Sequence, residues 1–257
     1  MKRIAVITGA SSGMGRRFAE TVGEIGPIDE LWVIARRAER LEALRDRVSY
    51  PLRPLALDLS RRESYEEYAA LLRQEQPDVA LLINASGFGF FCATEEKSLG
   101  ENLNMLDLNC AAVMAMCQHT LPYMHRGARI LNIASVAAFQ PIPYINVYGA
   151  TKAFVLSYSR ALNREVKSRG ISITALCPFW TKTEFFNRAV PGDKKPVVKK
   201  YIAMYEPEDL VKRGWRDLKR GKDVSFFGFK AMVQVLLVKL LPHKLVMNVW
   251  LKQQELG

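Results

Sequence analysis

The chain has 257 residues, 49% of them hydrophobic, and carries a formal net charge of +11 at pH 7. A chain of this length and apolar content can bury a sizeable core, and no linker, low-complexity segment or internal repeat divides it, so residues 1–257 are predicted to form a single α/β domain. The positive charge alone does not indicate a nucleic-acid partner, because no nucleic-acid-binding motif accompanies it.

A glycine-rich loop follows the first predicted strand. The apolar run at 4–7 is typical of a buried strand, and residues 16–25 carry apolar side chains at helical spacing. Between them, Gly9 permits a tight turn, Gly13 lets the backbone approach a pyrophosphate, and Gly15 allows close helix packing. The helix N-terminus then offers N–H groups and partial positive charge to phosphates. This context favours a nucleotide-binding loop over a simple turn.

Two arginines follow the second predicted strand, which ends at Ala35. In dinucleotide sites an acid at this point binds the ribose 2′-hydroxyl of NAD, whereas an arginine accommodates the 2′-phosphate of NADP. Neither Asp nor Glu ends this strand, and a guanidinium suits a phosphate by its charge and its forked donors. Arg36, assisted by Arg37, therefore indicates a preference for NADP(H) over NAD(H). The alternative is a solvated charge pair that opens a surface helix.

The rest of the chain alternates between apolar runs and helical patterns. Residues 61–76, 103–124 and 146–169 are predicted to be crossover helices. This alternation is typical of βαβ units and a parallel sheet. The predicted strands end near Ile7, Ala35, Leu57, Ile83, Ile133, Leu176 and Phe227.

Tyr148 and Lys152 lie four residues apart in a predicted helix and therefore share one face. A free phenol has a pKa of about 10, and a neighbouring cation favours its ionised form and suits it to acid/base work. Ser135 follows the apolar run 130–134, at the carboxyl end of a strand, where open α/β sheets bind ligands. Its hydroxyl can orient a carbonyl and stabilise developing charge.

Taken in order, these motifs resemble the short-chain dehydrogenase/reductase family, in its compact, single-domain, NADP-preferring branch. The resemblance runs from residue 1 to about residue 228. It implies a doubly wound parallel sheet, the Rossmann fold, and NAD(P)-dependent reduction of carbonyls or oxidation of alcohols. The matching pieces are TGASSGMG at 8–15, Ala35-Arg36-Arg37, Leu57-Asp58-Leu59, Asn84 with Gly87, Asn109, Ser135, Tyr148 with Lys152, and Pro178 to Thr183.

The resemblance also implies a role for each site residue. Tyr148 is expected to donate a proton to the substrate carbonyl oxygen. Lys152 is expected to lower the pKa of that phenol and to bind the nicotinamide ribose. Ser135 is expected to orient the carbonyl, and Asn109 to help hold a water that relays protons to the lysine. The residues expected to bind the cofactor are Thr8, Gly9, Ser11, Ser12, Gly13, Met14, Gly15, Arg36, Arg37, Asp58, Leu59, Asn84, Gly87, Tyr148, Lys152, Pro178 and Thr183.

Two segments depart from the family pattern. Residues 84–87 read Asn-Ala-Ser-Gly where the family has Asn-Asn-Ala-Gly, so the asparagine expected to contact the adenosine ribose is kept. Pro178-Phe179 replaces the family's Pro-Gly, and with Trp180 it indicates a bulkier, more apolar wall. Thr183 keeps the position that contacts the nicotinamide carboxamide in the family.

Aromatic residues cluster in loops expected near the carboxyl ends of the strands and indicate an apolar substrate, such as a steroid-like, acyl or aromatic ketone. Ordinary packing is the alternative for part of this cluster. Residues from about 183 to 205 match the family's substrate lid, and Pro191 to Pro196 would make such a loop flexible. The aromatic residues are Phe88, Phe90, Phe91, Phe139, Phe179, Trp180, Phe185 and Phe186.

The tail, from about residue 228 to 257, is predicted to be an apolar helical extension. Its two apolar stretches, 231–241 and 245–251, are separated at Pro242, and each is shorter than the ~20 residues of a membrane span. We expect the tail to cover the substrate pocket or to pack in a subunit interface. Peripheral contact with a membrane surface, which the positive charge supports, ranks below these.

The three histidines are scattered and the four cysteines lack metal-ligand spacing, so no metal site is predicted, and free thiols indicate a cytoplasmic protein. We interpret the chain as an NADPH-dependent reductase of a hydrophobic ketone, acting as a homodimer. A 3-oxoacyl thioester reductase is the alternative within enzymes. A non-catalytic NADP(H)-sensing protein is disfavoured because such proteins usually lose the Tyr/Lys pair.

Overall fold

The computed structural model describes residues 1–190 and 196–256. Its strands form one parallel sheet in the order β3-β2-β1-β4-β5-β6-β7. Their apolar, β-branched sequences suit a sheet that is buried on both faces. The strands are β1 (Arg3–Thr8), β2 (Glu30–Ile34), β3 (Leu52–Leu55), β4 (Asp78–Asn84), β5 (Arg129–Ile133), β6 (Ser172–Cys177) and β7 (Val224–Phe226).

Helices cover both faces of this sheet. Phe18, Leu41 and Trp215 of α1, α2 and α8 pack on one face, whereas Tyr68 of α3 and Val155 of α6 pack on the other. The helices are α1 (Gly13–Glu20), α2 (Ala38–Glu42), α3 (Arg62–Glu75), α4 (Leu99–Leu106), α5 (Ala112–Thr120), α6 (Asn146–Glu165), α7 (Phe185–Ala189), α8 (Pro207–Lys219), α9 (Phe229–Leu240) and α10 (His243–Gln254).

The chain winds outward from β1 in both directions, which confirms the predicted doubly wound Rossmann fold. The strand order reverses between β1 and β4, so the connections leave these two strands on opposite sides and open a crevice at their carboxyl ends. The glycine loop follows β1, Ser135 follows β5 and Pro178 follows β6, so the predicted site residues gather at this edge of the sheet.

The helix predicted at 103–124 begins earlier and is interrupted. Ser98 caps α4: its hydroxyl accepts a hydrogen bond from the Glu101 N–H at 3.2 Å, and the Glu101 carboxylate accepts one from the Ser98 N–H at 3.0 Å. This Ser-x-x-Glu cap starts the helix at Leu99. A single π-helical turn, Asp107–Ala111, then separates α4 from α5.

The lid and the tail lie together above the carboxyl edge. Helix α7 and residues 196–205 of the predicted lid are among the described residues. The flexible stretch predicted at Pro191 to Pro196 lies outside the described residues, except for Pro196. The tail forms the two helices α9 and α10 on either side of Pro242. Among the described residues, no helix is both long enough and apolar enough to cross a membrane.

Candidate active site

Gly9 and Gly15 shape the turn between β1 and α1. Gly9 has a φ of +68°, and a Cβ there would lie 2.7 Å from the backbone of Ala85. A Cβ on Gly15 would lie 2.3 Å from the Gly9 carbonyl oxygen. Both positions therefore exclude any side chain, which brings the start of α1 against the ends of β1 and β4. Gly13, with a φ of +54°, presents its backbone to the cavity beside Thr183.

The arginines after β2 lie at the mouth of this loop. Arg37 donates from Nη2 to the Ser11 hydroxyl oxygen at 3.1 Å and lies 3.8 Å from the Glu184 carboxylate. Arg40 also pairs with Glu184, at 2.8 Å. Arg36 is exposed, lines the cavity and has no hydrogen-bond or ion-pair partner among residues 1–190 and 196–256. Of the three arginines at this end of the cavity, Arg36 is therefore the one without a partner among the described residues.

Two residues expected to bind the cofactor point away from the cavity. The Thr8 hydroxyl oxygen accepts hydrogen bonds from the N–H groups of Ala85 and Ser86, at 3.1 and 3.2 Å. Asn84 is buried between β4 and α5, where its Nδ2 donates to the Asn132 side-chain oxygen of β5 at 2.8 Å. The Asn84 side chain therefore lies under the sheet edge and outside the cavity, and its expected contact with the adenosine ribose stays a prediction. The Thr8 hydroxyl instead fixes the loop 85–87, which lines the cavity.

Tyr148, Ser135 and Lys152 meet at the centre of the cavity. The first turns of α6 carry the tyrosine and the lysine, and the Lys152 Nζ lies 5.7 Å from the centroid of the Tyr148 ring. Lys152 is buried and donates from Nζ to the Ile133 carbonyl oxygen of β5 at 2.8 Å. The Ser135 hydroxyl, held by the Ala137 N–H at 3.1 Å, hydrogen-bonds the Tyr148 phenol.

The pKa values of Tyr148 and Lys152 both shift on burial. Burial raises the pKa of Tyr148 to about 12, and the hydrogen bond with Ser135 offsets only part of this rise. Burial also lowers the pKa of Lys152 to about 8. With a pKa near 8 the lysine is still mostly charged at pH 7, and the expected lowering of the phenol pKa by this charge stays a prediction. The phenol in this site is a proton donor across the neutral range.

Asn109 lies in the π-helical turn and is fully buried. Its Nδ2 donates to the Phe88 carbonyl oxygen at 2.8 Å and to the Thr151 hydroxyl at 3.0 Å, and its Oδ1 accepts from the Phe88 N–H at 3.0 Å. A Cβ on Gly87 would lie 3.0 Å from this Oδ1 and 3.5 Å from the Lys152 Nζ. Gly87 therefore lets the asparagine and the lysine approach each other, and Asn109 ties the loop after β4 to α6.

All of these groups except the buried Thr8, Asn84 and Asn109 open onto one cavity of about 1080 Å³. Its volume is at the upper end of the range for ligand pockets and suits a cofactor and a substrate together. One end is the glycine loop, and the other is an apolar wall from the lid and the tail helices. That wall includes Phe91, Ile142, Phe179, Trp180, Phe185, Phe186, Val233, Leu237, Val246 and Trp250.

The comparisons with known proteins agree with this geometry. The family model described as short chain dehydrogenase matches residues 3–194, three quarters of the chain. The chain belongs to the short-chain dehydrogenase/reductase family. Members of this family oxidise alcohols or reduce carbonyls with a nicotinamide dinucleotide, so this protein is an oxidoreductase of that class.

Two curated relatives and one solved structure illustrate the similarity. The NADP-dependent 3-hydroxy acid dehydrogenase YdfG of Salmonella typhi is 32% identical over 219 residues, which cover 82% of this chain and 87% of that protein. The very-long-chain 3-oxoacyl-CoA reductase-A of Danio rerio is 28% identical over 261 residues, covering 98% and 78%. A short-chain dehydrogenase from Sphingobium yanoikuyae in complex with NADPH has a TM-score of 0.77 at 28% identity and covers 92% of each chain.

The residues of this short-chain dehydrogenase fit its cofactor. The first N–H groups of α1 have no partner within the helix and face the cavity, where the hydroxyls of Ser11 and Ser12 also lie. The tight turn at Gly9 and Gly15 leaves the loop backbone accessible, and the arginines add positive charge. N–H groups, hydroxyls and guanidiniums are donors that bind phosphates.

Sequence reasoning missed Glu184 and Arg188, which line the cavity, and Gly89, which packs against the Tyr148 ring. Glu184 and Arg188 come from the lid, where the Arg188 guanidinium stacks 3.3 Å from the centroid of the Phe88 ring. No motif marks them, since lid contacts depend on tertiary packing. Gly89 was also missed, although the spacing of glycines at 87 and 89 was a signal: a Cβ at Gly89 would lie 2.7 Å from Cδ2 and 2.9 Å from Cγ of Tyr148.

This contact gives a prediction for Gly89→Ala. The added methyl would push the Tyr148 ring away from Ser135, and misplacing a catalytic group by about 1 Å can cost roughly 10²-fold in rate. We expect kcat to fall at least tenfold while the melting temperature changes little. Steady-state kinetics and thermal melts of the variant measure both quantities. Gly100→Ala, in α4 where a Cβ would lie no closer than 4.0 Å to the Ser98 Oγ, is the matched control and should leave kcat unchanged. Equal kinetics for the two variants would contradict the prediction.

Proposed function

We propose that this short-chain dehydrogenase reduces the carbonyl of a hydrophobic substrate with NADPH, using Tyr148 as the proton donor. The observation that carries the proposal is the meeting of Tyr148, Ser135 and Lys152 at the junction between a phosphate-binding end and an apolar end of one cavity. Monitoring NADPH absorbance over a panel of ketones and 3-oxoacyl thioesters tests it. Absence of turnover across the whole panel would count against it.

Ser135, Tyr148 and Lys152 each have a separate role in the proposed reduction. The bound reduced dinucleotide supplies the hydride. The Ser135 hydroxyl orients the substrate carbonyl, and the Tyr148 phenol gives its proton to the carbonyl oxygen as negative charge develops there. Because its pKa is about 12, the phenol is protonated at neutral pH and can give its proton to the carbonyl oxygen. Lys152, held by the Ile133 carbonyl, stabilises the phenolate left behind.

Asn109 supports these catalytic side chains although it does not line the cavity. Asn109 holds the loop after β4 against Thr151, one residue before Lys152. We propose that this keeps the lysine close to Gly87 and gives protons a route to it from solvent. The proposed cofactor contacts are Gly9, Ser11, Ser12, Gly13, Met14, Gly15, Arg36, Arg37, Asp58, Leu59, Gly87, Tyr148, Lys152, Pro178 and Thr183, all of which line the cavity.

The preference for NADP(H) follows from the arginines. Arg37 and Arg40 pair with the Glu184 carboxylate. Among the described residues Arg36 has no such partner, so its guanidinium can bind a phosphate. The Salmonella typhi relative is NADP-dependent by name, and the Sphingobium yanoikuyae structure contains NADPH. Both similarities support the proposal that a 2′-phosphate binds beside Arg36.

We expect Arg36→Ala to weaken NADPH binding by about ten- to a hundredfold and to leave NADH binding nearly unchanged. The reason is that a charge-assisted phosphate contact contributes about 1.5–3 kcal/mol, and NADH lacks the 2′-phosphate. Titration of both cofactors into wild type and variant measures the difference. Arg47→Ala, at an exposed arginine outside the cavity, is the matched control. Equal losses for both cofactors would show that Arg36 does not read the phosphate.

A 3-oxoacyl thioester reductase is the second candidate. The Danio rerio 3-oxoacyl-CoA reductase matches 98% of this chain, tail included, and a large cavity with an apolar end, in a protein of net positive charge, suits an acyl chain with an anionic carrier. The substrate panel distinguishes the two candidates. A thioester reductase would show its highest kcat/KM with 3-oxoacyl thioesters, and this kcat/KM would fall as the acyl chain is shortened.

We also propose that 183–205 acts as the substrate lid and that the protein is a homodimer. The lid helix α7 brings Phe185 within 5.4 Å of the Tyr148 ring, centroid to centroid, so opening it would uncover the site. Exposed apolar side chains on adjacent helices supply a surface for a second copy. They are Leu99, Leu103, Leu106, Met114 and Phe154. Sizing in solution tests the dimer.

A further inference from the structure

The tail helices leave much of their apolar surface uncovered. Of the 17 exposed large hydrophobic residues in the described ranges, nine lie between Phe229 and Val249, so the exposure is concentrated there. Helix α9 is apolar almost all round, yet only Ala231, Val235 and Val238 of it are buried. A helix of this kind is normally covered on every side. Something therefore covers the outer face of α9, where Leu236 and Leu240 are 59% and 74% exposed.

The charged side chains of the tail helices beside this face are all positive. Lysines occur at 230, 239, 244 and 252, and no Asp or Glu lies between Gly228 and Gln254. With about 100° of rotation per residue, Lys230 and Lys239 fall on the two opposite borders of the outer face of α9. The Lys230 Nζ donates to the Ile202 carbonyl oxygen at 3.4 Å, and the Lys239 Nζ lies 5.3 Å from the centroid of the Phe139 ring. Both side chains are exposed, so their ammonium groups can exchange these contacts for lipid headgroups while their stems stay on apolar surface. This pattern is that of a helix lying in the plane of an anionic lipid surface.

A second copy of the chain fits this face poorly. A two-fold interface would place the same lysines opposite each other with no carboxylate from the tail helices to pair them. The exposed apolar residues of α4 lie close to acidic groups, Glu101 and Asp107, and lack this bias. The two surfaces therefore suit different occupants.

The candidate active-site cavity reaches the same surface. Phe229, Val233, Leu237 and Leu241 of the tail both line the cavity and are exposed, and Val249 of α10 stands across from them. The groove between α9 and α10 thus connects the apolar end of the cavity to the outer face. A molecule dissolved in lipid could enter along this groove without crossing water.

We propose that the hairpin of α9 and α10 docks on the surface of an anionic phospholipid bilayer, with Met232, Leu236 and Leu240 entering the lipid and the tail lysines contacting the headgroups. Docking itself does not depend on the reaction. The entry of an apolar substrate through the groove rests on the function proposed above.

Sedimentation of the full chain with vesicles tests the docking. We expect binding to vesicles of phosphatidylglycerol and phosphatidylcholine, weaker binding to pure phosphatidylcholine, and loss of the difference at high salt. Leu236→Gln with Leu240→Gln should reduce binding at least tenfold, since each exposed leucine loses its burial in lipid. The double variant Lys239→Gln with Lys244→Gln should weaken binding to anionic vesicles by about fivefold per lysine. Its binding to pure phosphatidylcholine vesicles should not change. None of these four residues lines the cavity.

The matched control is Leu103→Gln with Leu106→Gln, which removes exposed apolar area from the α4 surface. Because that surface is also the one proposed for the dimer, each variant is sized first, and at equal oligomeric state the α4 pair should leave vesicle binding unchanged. Thermal melts and NADPH titration verify that each variant is folded, whatever its substrate, so a failure of docking is distinguishable from a failure of the proposed reaction. Wild type that does not bind anionic vesicles overturns the proposal, as does an equal loss in both leucine pairs. If Leu236→Gln with Leu240→Gln instead halves the oligomer, the face is an interface between copies.

Discussion

Replacing the Tyr148 phenol by a phenyl ring, Tyr148→Phe, should lower kcat by about 10²-fold or more, because positioned general acids contribute roughly 10²–10⁴-fold. The structure indicates that this variant would lose proton donation and little else. The phenol hydrogen-bonds Ser135, its ring is held by Phe91 and Phe185, and Lys152 lies on the same face of α6. Removing one oxygen leaves the packing of the ring intact. Cofactor affinity should therefore change little, and single-turnover and steady-state kinetics on a verified substrate measure the effect.

Tyr158→Phe is the matched control, because this tyrosine lies on the same helix, stacks on Phe154 and is outside the cavity. It should keep kcat within about twofold. If Tyr148→Phe retains near-normal turnover while its cofactor affinity is unchanged, the assignment of the proton donor is wrong and another group must supply the proton.

Local patterns were sufficient to predict the frame of this site. The glycine turn depends on a few residues whose backbone conformation and lack of a Cβ are dictated locally, and Gly9 and Gly15 prove to be sterically irreplaceable. The apolar runs predicted strand ends to within two residues, since a parallel sheet buried on both faces needs continuous apolar sequence. The i, i+4 spacing of Tyr148 and Lys152 likewise predicted their shared face.

Properties that depend on distant partners could not be predicted in this way. Motif matching placed Asn84 at the cofactor, but the direction of its side chain is set by Asn132 on a strand 48 residues later. The pKa of Tyr148 depends on burial, which a sequence pattern does not measure. The pairing of Glu184 with Arg37 and Arg40 joins the predicted lid to the start of α2 across more than 140 residues. The helical tail was predicted, whereas the burial of Trp250 required the lid and α6 to be in place.

Truncating the buried indole of the tail, Trp250→Ala, should lower the free energy of unfolding by about 3–5 kcal/mol, the usual cost of deleting a core aromatic side chain. Trp250 is 8% exposed and packs in a cluster with Phe91, Ile142 and Ile145. Its Nε1 donates to the Pro143 carbonyl oxygen at 3.1 Å, which would lose that partner. Because the indole also lines the cavity, the KM for bulky ketones should rise, while NADPH affinity should be retained.

Leu245→Ala separates this role from a general weakening of α10, since Leu245 is on the same helix but is exposed and outside the cavity. Its effect on stability should stay within about 0.5 kcal/mol. Chemical denaturation gives the stabilities, and kinetics with a small and a bulky ketone give the change in KM. A Trp250→Ala protein as stable as Leu245→Ala, with an unaltered preference between the two ketones, would show that the tail neither completes the core nor closes the substrate end of the cavity. If Trp250→Ala loses stability but keeps its KM, Trp250 contributes to packing only, and the aromatic residues of the lid form the pocket wall.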